Sequence, residues 1–372
     1  MCGDVMTGRG IDQVLPHPSQ PRLYESYIRD ARGYVALAEQ VHGPIAKPLS
    51  FAYPWGDALA ILEQAAPDVR LINLETSVTQ SDDYWSSKGI HYRMHPGNLP
   101  CLSAARIDVC TLANNHVLDW GYAGLQETLA SLQAAGIHMA GAGENRQTAA
   151  APAVVEVPPK GRVIVFAWGD KTSGIPASWA ATDDRPGINW LPDLSAQTVQ
   201  QIKAQVYATK QMGDIVVASI HWSGNWGYEI PDYQKRFAHQ LIDQAGVDVI
   251  HGHSSHHVKG LEIYQDKLIL YGCGDFINDY EGIEGHEYYR GDLSLMYFAD
   301  IQPRTGQLLS LRMTPTQIRR FQVHRASLVD ARWLKKILER ECRSTVIGLQ
   351  EDPLSLENLS GLPHSGYSDA DV

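Results

Sequence analysis

Residues Val247 to Asn278 read VDVIHGHSSHHVKGLEIYQDKLILYGCGDFIN, and the fold turns on how this stretch is parsed. A short apolar run, Val247 to Ile250, passes into His251, Gly252, His253, Ser254, Ser255, His256 and His257. Four imidazoles therefore sit where a buried strand delivers its C-terminal end into a loop. Open α/β sheets keep their ligands at that end of their strands. Imidazole is the commonest side-chain metal ligand, and the glycine beside it lets the backbone turn so that neighbouring rings converge. A solvated loop that is merely rich in histidine is the competing reading of this segment taken alone.

Working outward, other segments repeat the pattern. MCGDVMTGRG, Met1 to Gly10, sets Asp4 at a short strand among glycines that suit a phosphate or metal loop, with Arg9 as a candidate anion-binding residue. The strand Val69 to Leu74 ends at Glu75, and a carboxylate at the end of a buried strand is costly unless paired or coordinated. Val109 to Ala113 leads into Asn114, Asn115, His116 and Asp119, just ahead of a helix Tyr122 to Ala135. Helix capping explains Asp119 and leaves His116 unexplained. Ile215 to Ile220 ends in His221 and Trp222. The loop Ser81 to Pro96 carries Trp85, Lys88, His91, Tyr92, Arg93 and His95, a mixture that suits an anionic substrate with an apolar part.

Between these strands the chain alternates with helical periodicity at Asp57 to Ala66, Leu99 to Ala105, Ala196 to Lys210 and Tyr233 to Gln244. Pro16 to Pro54 reads as an excursion above the sheet with a helix around Tyr24 to Glu39. Leu293 to Asp300, Leu308 to Met313 and Arg319 to Val323 read as antiparallel completion of a sheet. The expected organisation is one domain over 1–325, then a helix about Leu328 to Glu339 and a tail from Ser344, poor in large apolar residues, that is mobile or lies on the surface.

With 372 residues, 44% of them hydrophobic and 20% charged, the chain has ample material for a core. A net charge of -11 argues against a nucleic-acid or anionic-membrane surface as the main partner. The five cysteines are scattered without a CxxC pair, which does not suggest a disulfide framework, and no run reaches transmembrane length. With Met1 as the native start, the expected compartment is the cytoplasm.

Collected, the strand-end residues are Asp4, Glu75, Asn115, His116, His221, His253 and His256. This mixed oxygen and nitrogen set suits Mn, Fe, Zn or Co better than Ca or Mg, and the absence of cysteine from it argues against a structural zinc. The donors exceed the needs of one tetrahedral ion. A pair of divalent ions about 3.5–4 Å apart, with Glu75 bridging, uses them all. Such a pair polarises a phosphoryl or carbonyl oxygen and lowers the pKa of water, while one imidazole left free protonates the leaving group. His116 is the expected proton donor, with Asp119 in the next turn orienting it. Trp120, Trp222, Trp226 and Tyr228 are either pocket walls or core.

GDVMTGRG at Gly3 to Gly10, NLETSVT at Asn73 to Thr79, TLANNHVLDWGYAGLQETLASLQAAGI at Thr111 to Ile137, HWSGNWGYE at His221 to Glu229 and GHSSHHVKGLEIYQDKLILYGCGDFI at Gly252 to Ile277 resemble, in order, the bacterial CapA-type poly-γ-glutamate synthesis protein family. That family is similar to the calcineurin-like metallophosphoesterases, and the resemblance implies an α/β four-layer sandwich of two β-sheets flanked by helices. It implies that Asp4 binds one metal, Glu75 bridges, Asn115 and His221 bind the second, and His253 and His256 complete the shells. It also implies His116 as catalytic acid, and Arg9 and Arg93 as substrate-facing arginines. The chain departs from the pattern at Met6, two residues after Asp4, where broader metallophosphoesterases have a second ligand, a histidine. It also reads GHSSH where the family has GHHPH, and GCGDF, with Cys273 and Asp275, where the family has SLGNF. The function expected is metal-dependent hydrolysis of a phosphate ester. An amide or γ-glutamyl bond at the same site, or binding of a polyglutamate chain with little catalysis, are the rivals.

Overall fold

The computed structural model describes residues 1–342, 347–351 and 354–358. Its first sheet is parallel throughout, in the order Asp275–Ile277, Asp4–Val5, Leu71–Leu74, Val109–Thr111, His138–Ala140. The second runs Trp190–Leu191, Gly161–Asp170, Ile215–His221, Val249–His253, Lys267–Leu270, Leu261–Tyr264. It is parallel except at Leu261–Tyr264 and at Ala153–Val157, which pairs against Gly161–Asp170.

Period-two alternation decides what each sheet presents. In Gly161–Asp170, Ile164, Phe166 and Trp168 join the outer core with the helices Ala196–Thr209 and Asp232–Ala245, while Val165 and Ala167 join the core between the sheets. In the first sheet Ile72 and Cys110 pack outward with Ile61, Leu102, Leu125 and Leu129, while Leu71 and Val109 face inward. The layers are therefore helices, sheet, sheet, helices, the four-layer sandwich that the resemblance implied. Helix Asp232–Ala245 buries Phe237, Ala238, Leu241, Ile242 and Ala245 at helical spacing and stops at Gly246, whose φ of 72° suits a residue without a Cβ.

The inner-face positions change character along each strand. Leu71 is followed on the same face by Asn73, Val109 by Thr111, Val217 by Ser219 and His221, and Val249 by His251 and His253. The space between the sheets is thus apolar at the strand starts and polar at their C-terminal ends, which is where the site forms.

Leu293–Gln302, Gln307–Arg319 and Gln322–Arg325 build a third, separate antiparallel sheet. A hairpin, Ile347–Glu351 and Leu354–Asn358, adds to it with Arg312 opposite Glu357 and Met313 opposite Leu356. These strands fall where a loose tail was expected from Ser344; the rest of that tail lies outside the described residues. The helix Leu328–Glu341 packs Leu334 and Leu338 into the core between the sheets. The helix expected around Tyr24 to Glu39 forms over Arg32–His42, because Arg22 to Asp30 is closed by a bridge between its ends. Among the described residues no helix is long and apolar enough to cross a membrane.

Candidate metal centre

Asp4 occupies its position because Gly3 lets two strands close: a Cβ on Gly3 would stand 1.7 Å from the Gly274 carbonyl oxygen. Asp4 Oδ1 accepts from Asn73 Nδ2 at 2.8 Å and Oδ2 from the Ser254 backbone N–H at 3.0 Å, which aims the carboxylate across the gap. On the facing sheet His221 and His253 are register partners, and their Nδ1 atoms lie 2.7 Å apart. Asp4, His221 and His253 offer ligand atoms all within 4.8 Å of one another, the group of this kind found among the described residues.

Around this group stand the other strand-end residues. Glu75 Oε1 is 4.0 Å from His221 Nε2 and 3.7 Å from His116 Nε2, and its Oε2 is buried with no hydrogen-bond partner. Asn115 Oδ1 is 3.0 Å from His221 Nε2. His116 Nδ1 lies 2.6 Å from Asp119 Oδ2, and Asn114 Oδ1 accepts from the His116 backbone N–H. His256 turns its Nδ1 to Asp275, 2.9 and 3.1 Å from the two carboxylate oxygens. Asp275 is itself the register partner of Asp4 on the neighbouring strand.

Burial, then the charges of Asp4 and Asp275, holds the Glu75 carboxyl well above the usual range. Burial and Asp275 push Asp4 up in the same way. Burial drives His221 and His253 well below the ordinary imidazole value, so both rings are neutral with lone pairs to give. Burial opposes the charged form of His256 too, but Asp275 outweighs it and the pKa is raised. Crowded carboxylates, neutral converging imidazoles and an orphaned carboxylate oxygen are the donor chemistry that a divalent transition-metal ion satisfies. The residues present fit such an ion.

Two expected residues are engaged by other protein groups. Arg9 is buried with its donors taken: Nε and Nη2 on Asp279 at 3.2 and 2.5 Å, Nη1 on Glu25 at 3.1 Å and on Tyr34 at 2.9 Å. Its guanidinium also lies over the Tyr34 and Tyr92 rings. Arg93, on the short strand Arg93–Met94, donates to Ser81 O, Asp82 and Gln20 O and lies 3.8 Å from the Trp120 ring centre. Both guanidiniums are held by protein partners among the loops around the site. Trp120 and Trp222 are core, each 1% exposed, whereas Trp226 is partly open and stacks on His286 at 4.0 Å. Met6 is buried and receives the Tyr280 hydroxyl on its sulfur at 3.7 Å.

The residue list read from the sequence lacked several members of the site. Lys88 Nζ donates to the Asn115 carbonyl and to Asp119 Oδ1 at 2.5 Å, and lies 3.1 Å from His116 Nδ1. Burial pushes its pKa down, against the pull of Asp119. Asn73 and Ser219 were legible as polar residues interrupting apolar strands. Lys88 was legible only as one member of the mixed loop Ser81 to Pro96, with nothing to mark it as a partner of His116 and Asp119.

The fold and the donor cluster define a sandwich protein with a histidine and carboxylate site at the C-terminal ends of its inner strands. Residues 1–280 match the family described as bacterial capsule synthesis protein PGA_cap, and the chain belongs to that family. It is 51% identical over 342 residues to a probable polyglutamine synthesis accessory protein of Mycobacterium tuberculosis, covering 92% of this chain and 90% of the relative. To the capsule biosynthesis protein CapA of Bacillus anthracis it is 25% identical over 282 residues, 75% of this chain and 59% of the relative. To the PGA biosynthesis protein CapA of Bacillus subtilis it is 28% identical over 208 residues, 56% of this chain and 52% of the relative.

Proposed function

We propose that the protein is a metal-dependent hydrolase of phosphate esters on an anionic substrate. The observation that carries this reading is the His116–Asp119 pair, 2.6 Å apart, with the far nitrogen of His116 turned towards Glu75 and the converging donors of Asp4, His221 and His253. Asp4, His221 and His253 would hold one divalent ion, and Glu75 with Asn115 a second, with His256 held beside them by Asp275. Bound ions supply Lewis acidity and a water of lowered pKa.

The chain's own residues do the rest. Asp119 accepts a hydrogen bond from Nδ1–H and holds the ring so that Nε2 faces the reacting bond, where it gives a proton to the leaving oxygen. Burial, with Lys88 adding to it against the pull of Asp119, pushes His116 down to about 4, so the ring charges only with an anionic group set against Nε2. Burial alone would raise Asp119, but His116 and Lys88 outweigh it and keep it ionised.

A second reading, hydrolysis of a γ-glutamyl amide at the same donors, is favoured by the names of the relatives, which concern polyglutamine and PGA synthesis. The test is elemental analysis together with assays of an aryl phosphate and a γ-glutamyl peptide, before and after chelation and metal re-addition. We expect about two transition-metal ions per chain and chelator-sensitive phosphate release. His116→Ala should lower kcat by about a hundredfold or more with metal content unchanged. A fully active His116→Ala protein removes His116 from the chemistry. Peptide cleavage without phosphate release selects the amide reading, and bound metal without either activity points to a polymer-binding role.

A further inference from the structure

His251 is one of the four imidazoles of the histidine-rich turn, and neither the donor cluster nor the His116–Asp119 pair uses it. It is fully buried on the inner face of Val249–His253. Its Nε2 lies 2.7 Å from the Cys2 carbonyl oxygen and its Nδ1 3.0 Å from Ser219 Oγ. Ser219 is its register partner on the adjacent strand, and the same hydroxyl is 2.8 Å from Nε2 of His253. Cys2, His251, Ser219 and His253 therefore form one buried chain that ends at the donor cluster.

Protons can fill this chain in one direction. A carbonyl oxygen only accepts, so Nε2 of His251 carries the hydrogen. Both partners of that ring are neutral groups, and a buried imidazolium without a counter-ion is costly, so its Nδ1 is a bare lone pair. The single hydroxyl proton of Ser219 goes to that lone pair, and the serine oxygen is left to accept from Nε2–H of His253. Thr111 Oγ1, 3.2 Å from Ser219 Oγ, gives its own proton to the Ile72 carbonyl or Asn73 Oδ1 and so offers the serine only a more distant, competing acceptor than His251 Nδ1.

Resting on the reading of the cluster as a cation site, we infer that Ser219 and His251 are positioning residues, which fix His253 as the Nε2–H tautomer and present its Nδ1 lone pair to the cluster. That nitrogen is the one 2.7 Å from His221 Nδ1 and 3.8 Å from Asp4 Oδ1. A ligand ring already in the binding tautomer and orientation needs no reordering when a cation arrives. The strand pairing of Ser219 with His251 thus sets the chemistry of a residue two positions further on.

The experiment is histidine 15N NMR of the metal-free protein, with His251→Gln and His253→Gln for assignment, alongside calorimetric Zn2+ titration of wild type, Ser219→Ala and Ser219→Thr. We expect Nε2–H signals for both rings in wild type. We also expect a loss of zinc affinity in Ser219→Ala of about ten- to a hundredfold, largely restored in Ser219→Thr. An Nδ1–H tautomer for His253, or equal affinity of wild type and a folded Ser219→Ala protein, overturns the inference. Should Ser219→Ala fail to fold, the wild-type spectrum decides. Absence of zinc uptake by wild type would sink the cation-site reading while the tautomer is still read from the spectrum, so the two failures are distinguishable.

Discussion

Lys259 lies just beyond the histidine-rich turn, 4% exposed, with Nζ donating to the Glu229 carbonyl at 2.9 Å. Burial pushes its pKa down to about 8, against the opposing charges of Glu341 and Glu229. A lysine whose folded pKa is below its unfolded one binds fewer protons when folded, so its penalty is complete below about pH 8 and lifts as pH rises towards 10.5. Lys259→Met should therefore be more stable than wild type at pH 7 by roughly 2 kcal/mol, after the lost hydrogen bond is counted. The advantage should shrink between pH 8 and 10.5. Urea denaturation of both proteins across that range measures it, and a pH-independent difference would refute the assignment. Arg9 illustrates the opposite case at the same scale. Its charge is paired with Glu25 and Asp279, although its position after the first glycine-rich motif resembles that of an anion-binding arginine.

At the scale of the element, the pairing of Asp4–Val5 with Asp275–Ile277 depends on Gly3. With a methyl group there, the Gly274 carbonyl would have to move or the strands part. Gly3→Ala should destabilise the fold by more than about 3 kcal/mol, because backbone cannot yield as a side chain does. An equilibrium unfolding curve reads this directly, and a change under about 1 kcal/mol would show that the strand pair has slack. Most elements were legible beforehand, since a helix such as Asp232–Ala245 or a strand such as Ile215–His221 declares itself within its own residues. Elements whose reason to exist is a partner were not. Of the strands Ile347–Glu351 and Leu354–Asn358, the second pairs with Gln307–Arg319 and the first pairs with the second.

For the whole molecule, the core between the sheets also takes in Leu293, Leu295, Leu311 and Met313 of the third sheet and Leu334, Leu338 and Cys342 at the C-terminal helix. The helix Leu328–Glu341, which follows the domain edge expected at residue 325, contributes to that same core. Heating should give one transition, with far-UV circular dichroism and tryptophan fluorescence superimposing. A separate early transition would show that the helix Leu328–Glu341 and its sheet melt alone. By itself the sequence determined the alternation of strands and helices and the delivery of Asp4, Glu75, Asn115, His116, His221, His253 and His256 to strand ends, because periodicity and strand length are local properties; the layered architecture came from the family resemblance of its motifs. Only the tertiary structure decided that Arg9 and Arg93 are engaged by protein partners, that Asp275 holds His256, that Lys88 joins the His116–Asp119 pair, and which nitrogen of His253 faces the cluster. Those outcomes depend on partners remote in the chain, such as Arg9 and Asp279, 270 residues apart, and periodicity carries no information about which distant groups a fold brings within hydrogen-bonding reach.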